Sequence, residues 1–214
     1  IYTMQIRAIL EAAAECIKEG IHVTPEIMVP QVCTLQELKW VHGYVTEIHK
    51  AVEGQFKTKV PYKFGTMIEV VRACMRAGRI AELAEFMSFG TNDLTQSTFS
   101  FSREDAENKF LPLYNERGVL QHNPFEILDI NGVGRLMMIT IEWARKTRSD
   151  MKIGICGEQG GHPDAIRFCH HVGLNYVSCS PHRVPIARIA AAQAKITEDE
   201  YVVEQGLKQE NKSL

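Results

Sequence analysis

The 214-residue sequence has no run of apolar residues near the roughly 20 needed to cross a bilayer. It opens on Ile1-Tyr2-Thr3-Met4-Gln5, which lacks the basic and apolar regions of a secretory leader. It has no excess of positive charge. Lys and Arg number 24 against 26 Asp and Glu, so the net charge is −2 and no basic stripe suggests nucleic acid. Its six cysteines (Cys16, Cys33, Cys74, Cys156, Cys169, Cys179) form no CxxC pair, which argues against a structural zinc site and favours a reducing, cytoplasmic setting. An organelle of a compartmentalised host stays open. Neither GxGxxG nor GxxxxGK[ST] follows any predicted strand.

What is present is ordinary globular composition, 45% hydrophobic and 23% charged, enough for one sizeable core. Short apolar runs alternate with amphipathic helices. A first helix spans roughly 2–19, with Gly20 to end it, so the chain starts inside a helix and reads as a piece of something longer. Strands are predicted at 26–30, 62–69, 86–90, 152–156 and 176–179. Thr34-Leu35-Gln36-Glu37 is a capping box opening a helix that closes near Gly54. Further helices are expected at about 70–77, 163–172 and 184–196. Asn123-Pro124 predicts an N-cap with Pro at N1 and a helix to about Arg148, broken at Asn131-Gly132. Residues 91–123 show little periodicity, and a structureless stretch of that length is usually functional. The tail, 197–214, is polar and peripheral.

Repeated strand–helix units predict an α/β fold with a parallel sheet. An open doubly wound sheet competes with a (β/α)₈ barrel. The barrel is favoured because the polar residues gather at strand C-terminal ends, where barrels place their chemistry. About five of eight strands would then be present.

Glu69 ends Gly65-Thr66-Met67-Ile68-Glu69, and Asn92-Asp93 follows Ser88-Phe89-Gly90-Thr91 on the next strand. Two carboxylates at neighbouring strand ends would repel, and a divalent cation removes that conflict. Oxygen ligands with open positions suit Mg²⁺. Taken singly, Glu69 caps a helix and Asp93 a turn; the pair favours the metal. Asn92 offers an amide for a phosphate or carboxylate oxygen, against the alternative of an Asx-turn, and Gly90 allows close approach. Cys156 ends the fourth strand before Gly157-Glu158-Gln159-Gly160-Gly161 and is a candidate acid or base; the alternative is an inert thiol. The glycine run favours ligand approach. Cys179 reads as packing or a secondary contact, Arg183 and Arg188 as solvated cations. His170 and His171, adjacent on a helix, do not make a metal cluster.

The blocks GTMIE, FMSFGTNDLTQ, LQHNPFEILD, GICGEQGG and YVSCSPHRVPIARIAAAQA resemble the C-terminal phosphoenolpyruvate (PEP)/pyruvate domain of the pyruvate phosphate dikinases, a branch of the PEP-utilising enzymes. PEP synthases and the phosphotransferase-system enzyme I share a looser version. The resemblance covers residues 1–196. It implies a (β/α)₈ barrel and a phosphotransferase interconverting ATP, phosphate and pyruvate with AMP, pyrophosphate and PEP. A phosphohistidine domain and an ATP-binding domain of the same enzyme would be its partners, and the family's members form homodimers. It further implies that Glu69 and Asp93 bind Mg²⁺, that Gly90, Thr91, Asn92 and Asp93 contact substrate with Glu69, and that Cys156 protonates the enolate carbon. Arg103 occupies the spacing of an enzyme I arginine. The family's two substrate-clamping arginines would lie before Ile1. Two other functions compete: a Mg²⁺-dependent enolate lyase of aldolase type, and a non-catalytic docking piece.

Overall fold

The structure is a computed structural model and describes residues 1–197. The polar-tail expectation therefore lies, from residue 198 on, outside the described residues.

Five parallel strands form one sheet in chain order: β1 (Glu26–Val29), β2 (Lys63–Ile68), β3 (Phe86–Gly90), β4 (Lys152–Cys156) and β5 (Tyr176–Val177). Helices α1 (Tyr2–Lys18) and α2 (Leu35–Phe56) flank β1, and α2 packs against α1. Its start is the predicted capping box. Thr34 Oγ1 accepts from the Glu37 N–H, while the Glu37 carboxylate accepts from the Thr34 and Cys33 N–H groups. The helix passes Gly54 and ends at Phe56, where Lys57 turns left-handed.

One face of the sheet is apolar, because side chains alternate along a strand. Ile27, Val29, Phe64, Ile68, Met87, Phe89, Ile153 and Ile155 form a core with Leu38, Val45, Ile80, Met137 and Phe168 of the covering helices. Full burial of each large side chain contributes about 1.5–3 kcal/mol. The other face carries Gly65, Phe86, Ser88, Gly90, Gly154, Cys156 and Tyr176, which lie beside one another by register. Here glycines make room for rings. A Cβ on Gly65 would sit 2.6 Å from the Phe86 ring, and one on Gly154 2.2 Å from the Tyr176 ring.

The sheet curls. Lys152 Nζ lies 3.0 Å from Glu26 Oε1 although β2 and β3 stand between their strands, a separation of about 14 Å in a flat sheet. Parallel strands curling with helices outside and small and large residues filling the concave face make the wall of a β/α barrel. The open doubly wound alternative falls with it.

Two local expectations are corrected. Residues 91–123 are not structureless: they fold as α5 (Thr91–Phe99), α6 (Arg103–Lys109) and α7 (Leu111–Glu116), after the short α3 (Val71–Met75) and α4 (Ala77–Ile80). They carry their own small core of Ala106, Leu111 and Phe125, joined by Phe101 and Phe110. Asn123-Pro124 does not open a helix. Asn123 Oδ1 accepts from the Phe125 N–H and its carbonyl from Glu126 and Ile127, closing a single turn. The helix N-cap is Asp129, whose carboxylate accepts from Gly132 and Val133 N–H groups. A π-turn (Ile130–Gly134) leads into α8 (Arg135–Thr147). Beyond β4 lie a 3₁₀ turn (Glu158–Gly161), α9 (Pro163–His171) and α10 (Val184–Thr197).

Candidate active site at the strand ends

Three strand ends meet at the rim of the concave face. Glu69 follows β2 directly, Gly90 ends β3, and Cys156 ends β4 in register with Gly90. Glu69 is only 2% exposed. Its Oε1 accepts from the backbone N–H of Gln31, at 2.7 Å, just beyond β1. Gln31 holds a left-handed φ of 55° there. The other oxygen, Oε2, lies 2.0 Å from where a Cβ on Gly90 would stand, so only glycine leaves the carboxylate this place.

Asp93 lies in the first turn of α5, where Gln96 Nε2 donates to its Oδ1 at 3.0 Å. The two acids interact closely. Burial pushes the Glu69 carboxyl above the usual carboxylate range and the neighbouring Asp93 pushes it further, opposed by the Gln31 N–H. A buried carboxylate that faces a second acid is the donor set a hard divalent cation would relieve. Among the described residues no cluster of three or more His, Cys, Asp or Glu comes together as a metal site. Two carboxylates, with the other positions left to ligand and water, fit magnesium rather than zinc.

Cys156 is half-buried on the same concave face. The Ser88 hydroxyl approaches its Sγ at 3.7 Å, and the Tyr176 phenol interacts with Ser88 in turn. Burial pushes the Cys156 thiol up; the Ser88 contact opposes this and the Glu69 charge adds to it. The resting group is a thiol, an acid with a proton to give. The sequence singled out neither Ser88 nor Tyr176. Their inward position follows from strand alternation once the register with Cys156 is known.

The Gly90–Asp93 run divides its work. Asn92 lines a cavity of about 550 Å³ with Cys156, Gly157, Glu158, Ser178, Cys179, Ser180 and Arg183. Its Oδ1 accepts from the Glu158 N–H at 3.2 Å. Thr91 is buried and does not line that cavity. Its hydroxyl lies 3.0 Å from the Cys156 carbonyl and 2.8 Å from Gln159 Oε1, so the side chain ties strand ends together. Arg103 makes a two-pronged ion pair with Glu158, at 3.2 and 2.8 Å, and a further contact to Glu107. Of the glycines after Cys156, Gly157 lines the cavity, while Gly160 and Gly161 make room for packing. Gly157 has a φ of +114° and presses on Thr91, Gly160 meets the Ser178 carbonyl, and Arg183 covers Gly161. Arg183 is thereby more than a solvated cation, since it also donates to the Glu158 carbonyl. Cys179 lines this cavity and also an outer one of about 340 Å³ between α9 and α10.

The sequence profile of the family described as "PEP-utilising enzyme, PEP-binding domain" matches residues 1–196. The chain belongs to that family. Within this PEP-binding-domain family it is similar to proteins named pyruvate, phosphate dikinase. It is 57% identical over 197 residues to that of Entamoeba histolytica, covering 92% of this chain and 22% of the relative. It is 53% identical over 194 residues to that of Clostridium symbiosum, covering 90% and 22%. The relative named "Pyruvate, phosphate dikinase 1, chloroplastic" from Arabidopsis thaliana is 53% identical, covering 90% and 20%. The PEP-binding-domain chain thus spans about a fifth of the length of these curated relatives. Among solved structures, a citrate lyase from Burkholderia xenovorans LB400 superposes with a TM-score of 0.57 over 96% of this chain and 60% of that one, at 14% identity. That likeness concerns the barrel fold alone. Among the described residues of the PEP-binding domain no helix is long and apolar enough to cross a membrane.

Proposed function

We propose that residues 1–196 form the pyruvate/PEP half-site of a pyruvate, phosphate dikinase, working with phosphohistidine and ATP-binding domains of the same polypeptide as a cytoplasmic or organellar homodimer. The observation that carries this is the buried Glu69 carboxylate facing Asp93 on the concave face that also presents Cys156.

Glu69 and Asp93 would hold Mg²⁺. When bound, that ion draws the negative charge developing on the substrate's oxygens. The chain's own residues do the rest. Gly90 leaves Glu69 its space, and the Gln31 N–H fixes the orientation of the carboxylate. Asn92, which lines the cavity, meets substrate oxygens together with the backbone N–H groups of the Gly90 to Asp93 run. Cys156 handles the proton at the methyl carbon. Toward pyruvate, its S–H bond breaks and the proton joins C3 of the enolate. Toward PEP, its thiolate takes a methyl proton, and the C–H electron pair becomes the enolate whose oxygen accepts the phosphoryl group from histidine. The raised thiol favours the donating role at neutral pH.

The test uses the complete polypeptide that carries this segment. Cys156→Ser is expected to lower PEP formation at least about 100-fold while ATP-dependent phosphorylation of histidine continues. PEP formation at the wild-type rate would reject Cys156 as the group that moves the methyl proton. Carbon–carbon cleavage without a phosphoryl donor would point to a lyase instead.

A further inference from the structure

We infer that Gln159 is a positioning residue for Cys156, its buried amide anchoring the turn that follows β4 to α5 and to the Pro124 loop. This rests on the half-site reading above. Gln159 lies three residues beyond Cys156 and is fully buried, and every polar atom of its amide has a partner. Nε2 donates to the Pro124 carbonyl at 3.0 Å and approaches Thr95 Oγ1 at 3.4 Å. A carbonyl only accepts, so Pro124 fixes which end of the amide is nitrogen. Oε1 therefore faces Thr91, 2.8 Å from its hydroxyl, and shares that hydroxyl's single proton with the Cys156 carbonyl at 3.0 Å. One side chain thus joins the loop before Asp129, the first two turns of α5, and the strand end that bears the thiol.

Nothing in this linkage touches Glu69, which is held separately by the Gln31 N–H and the gap at Gly90. Glu69 and Cys156 are thus fixed by different devices. Asp93 rides on α5, which Gln159 meets at Thr91 and Thr95. The Ser97 hydroxyl also ties that helix to the Glu69 carbonyl at 3.4 Å, so loosening Gln159 should move Cys156 more than the acid pair. A displacement near 1 Å at a proton-transferring group is enough to cost roughly 100-fold in rate.

The experiment compares wild type with Gln159→Met and Gln159→Glu in the complete polypeptide. Readouts are exchange of pyruvate methyl protons into D₂O by NMR, ATP-dependent histidine phosphorylation, and melting temperature. Gln159→Met keeps the volume and loses the amide. It is expected to lower kcat for exchange about 10- to 100-fold, with KM for pyruvate and histidine phosphorylation near wild type. Gln159→Glu supplies a discriminating pH profile. When neutral, its carboxyl can accept from Thr91 and donate to the Pro124 carbonyl, so its exchange rate relative to wild type should rise as pH falls. Exchange by Gln159→Met within about twofold of wild type would overturn the inference, as would an equal loss of histidine phosphorylation. If Gln159→Met fails to fold, a flat ratio for Gln159→Glu across pH overturns it and a rising ratio supports it. Cys156→Ser run in parallel separates the two ideas. Survival of exchange in that variant rejects the half-site reading itself, whatever Gln159 does.

Discussion

Gly90 shows how the absence of a side chain can create a site. A Cβ there would stand 2.0 Å from Glu69 Oε2 and 2.7 Å from Met67 Cε. Gly90→Ala therefore forces Glu69 out of its position against Asp93. Overpacking of this kind costs about 1–3 kcal/mol of stability, read by urea unfolding. PEP formation should fall by a larger factor than that cost implies, because the acid is displaced and not merely crowded. Unchanged PEP formation in a folded Gly90→Ala protein would remove Glu69 from the proposed mechanism. Glu69 itself makes a second prediction. Its carboxyl is raised by burial and by Asp93, so in metal-free protein its ionisation opposes folding. The sign follows: the neutral carboxyl's favourable contribution is complete below the ordinary carboxylate pKa and is lost, as the group ionises, when pH rises through the raised value. Glu69→Gln removes the titration. It should raise the melting temperature of the metal-free protein at pH 7 and abolish any upward shift on adding Mg²⁺. A variant that melts lower without metal, yet still responds to it, would contradict the pairing of the two acids.

Among the elements, α2 carries a stability device that can be titrated. The Glu37 carboxylate is held below its usual range first by the Cys33 N–H and then by that of Thr34. A lowered carboxyl contributes above its unfolded pKa and loses that contribution as pH falls through the lowered value. Removing the Thr34 side of the box would cost about 0.5–2 kcal/mol, whereas Glu37→Gln keeps an acceptor and removes only the charge. The difference in urea-unfolding free energy between wild type and Glu37→Gln should be constant from pH 6 to 8 and shrink below about pH 4. A difference independent of pH would assign the effect to side-chain packing. This box was legible in the sequence because its logic is local: four consecutive residues contain both hydrogen bonds. The five strands were legible for a similar reason, each a short apolar run closed by a polar or turn-forming residue, Pro30 in the case of β1. The segment 91–123 was not. Its helices are nine, seven and six residues long, too short to repeat a stripe, and Ser100 turns left-handed between the first two. The Asn123-Pro124 start misled because an Asx turn and an N-cap use the same side-chain oxygen, and only the following carbonyl pairings separate them. At the site, Glu69, Asn92, Asp93 and Cys156 could be named from their strand ends. Thr91 could be named but not its inward direction, and Ser88, Tyr176 and Gln159 needed the register between strands that lie 68 and more residues apart in sequence at Ser88 and Cys156.

For the molecule as a whole, the curl of the sheet decides where these groups point. The Lys152–Glu26 contact shows the concave side closing on itself, yet both charges are partly exposed and the pair contributes at most about 1 kcal/mol. Closure therefore depends on strand pairing and on the helices packed outside. Pairing is uneven. β3 is buried at every residue and bonded on both sides, whereas β5 has two residues and pairs only with β4 among the described residues. Local opening follows such differences in burial and bonding. Hydrogen–deuterium exchange of the 214-residue chain should accordingly find the Met87 to Phe89 amides slowest and those of Tyr176 and Val177 near loop rates. In the complete polypeptide proposed above, further strands pairing at the free edges of β1 and β5 would raise protection at those edges and leave β3 unchanged. Protection of Val177 equal to that of Phe89 in the 214-residue chain would mean that β5 is not an open edge. The concave face, with Cys156 one strand away from β5, would then already be fixed without any further strand.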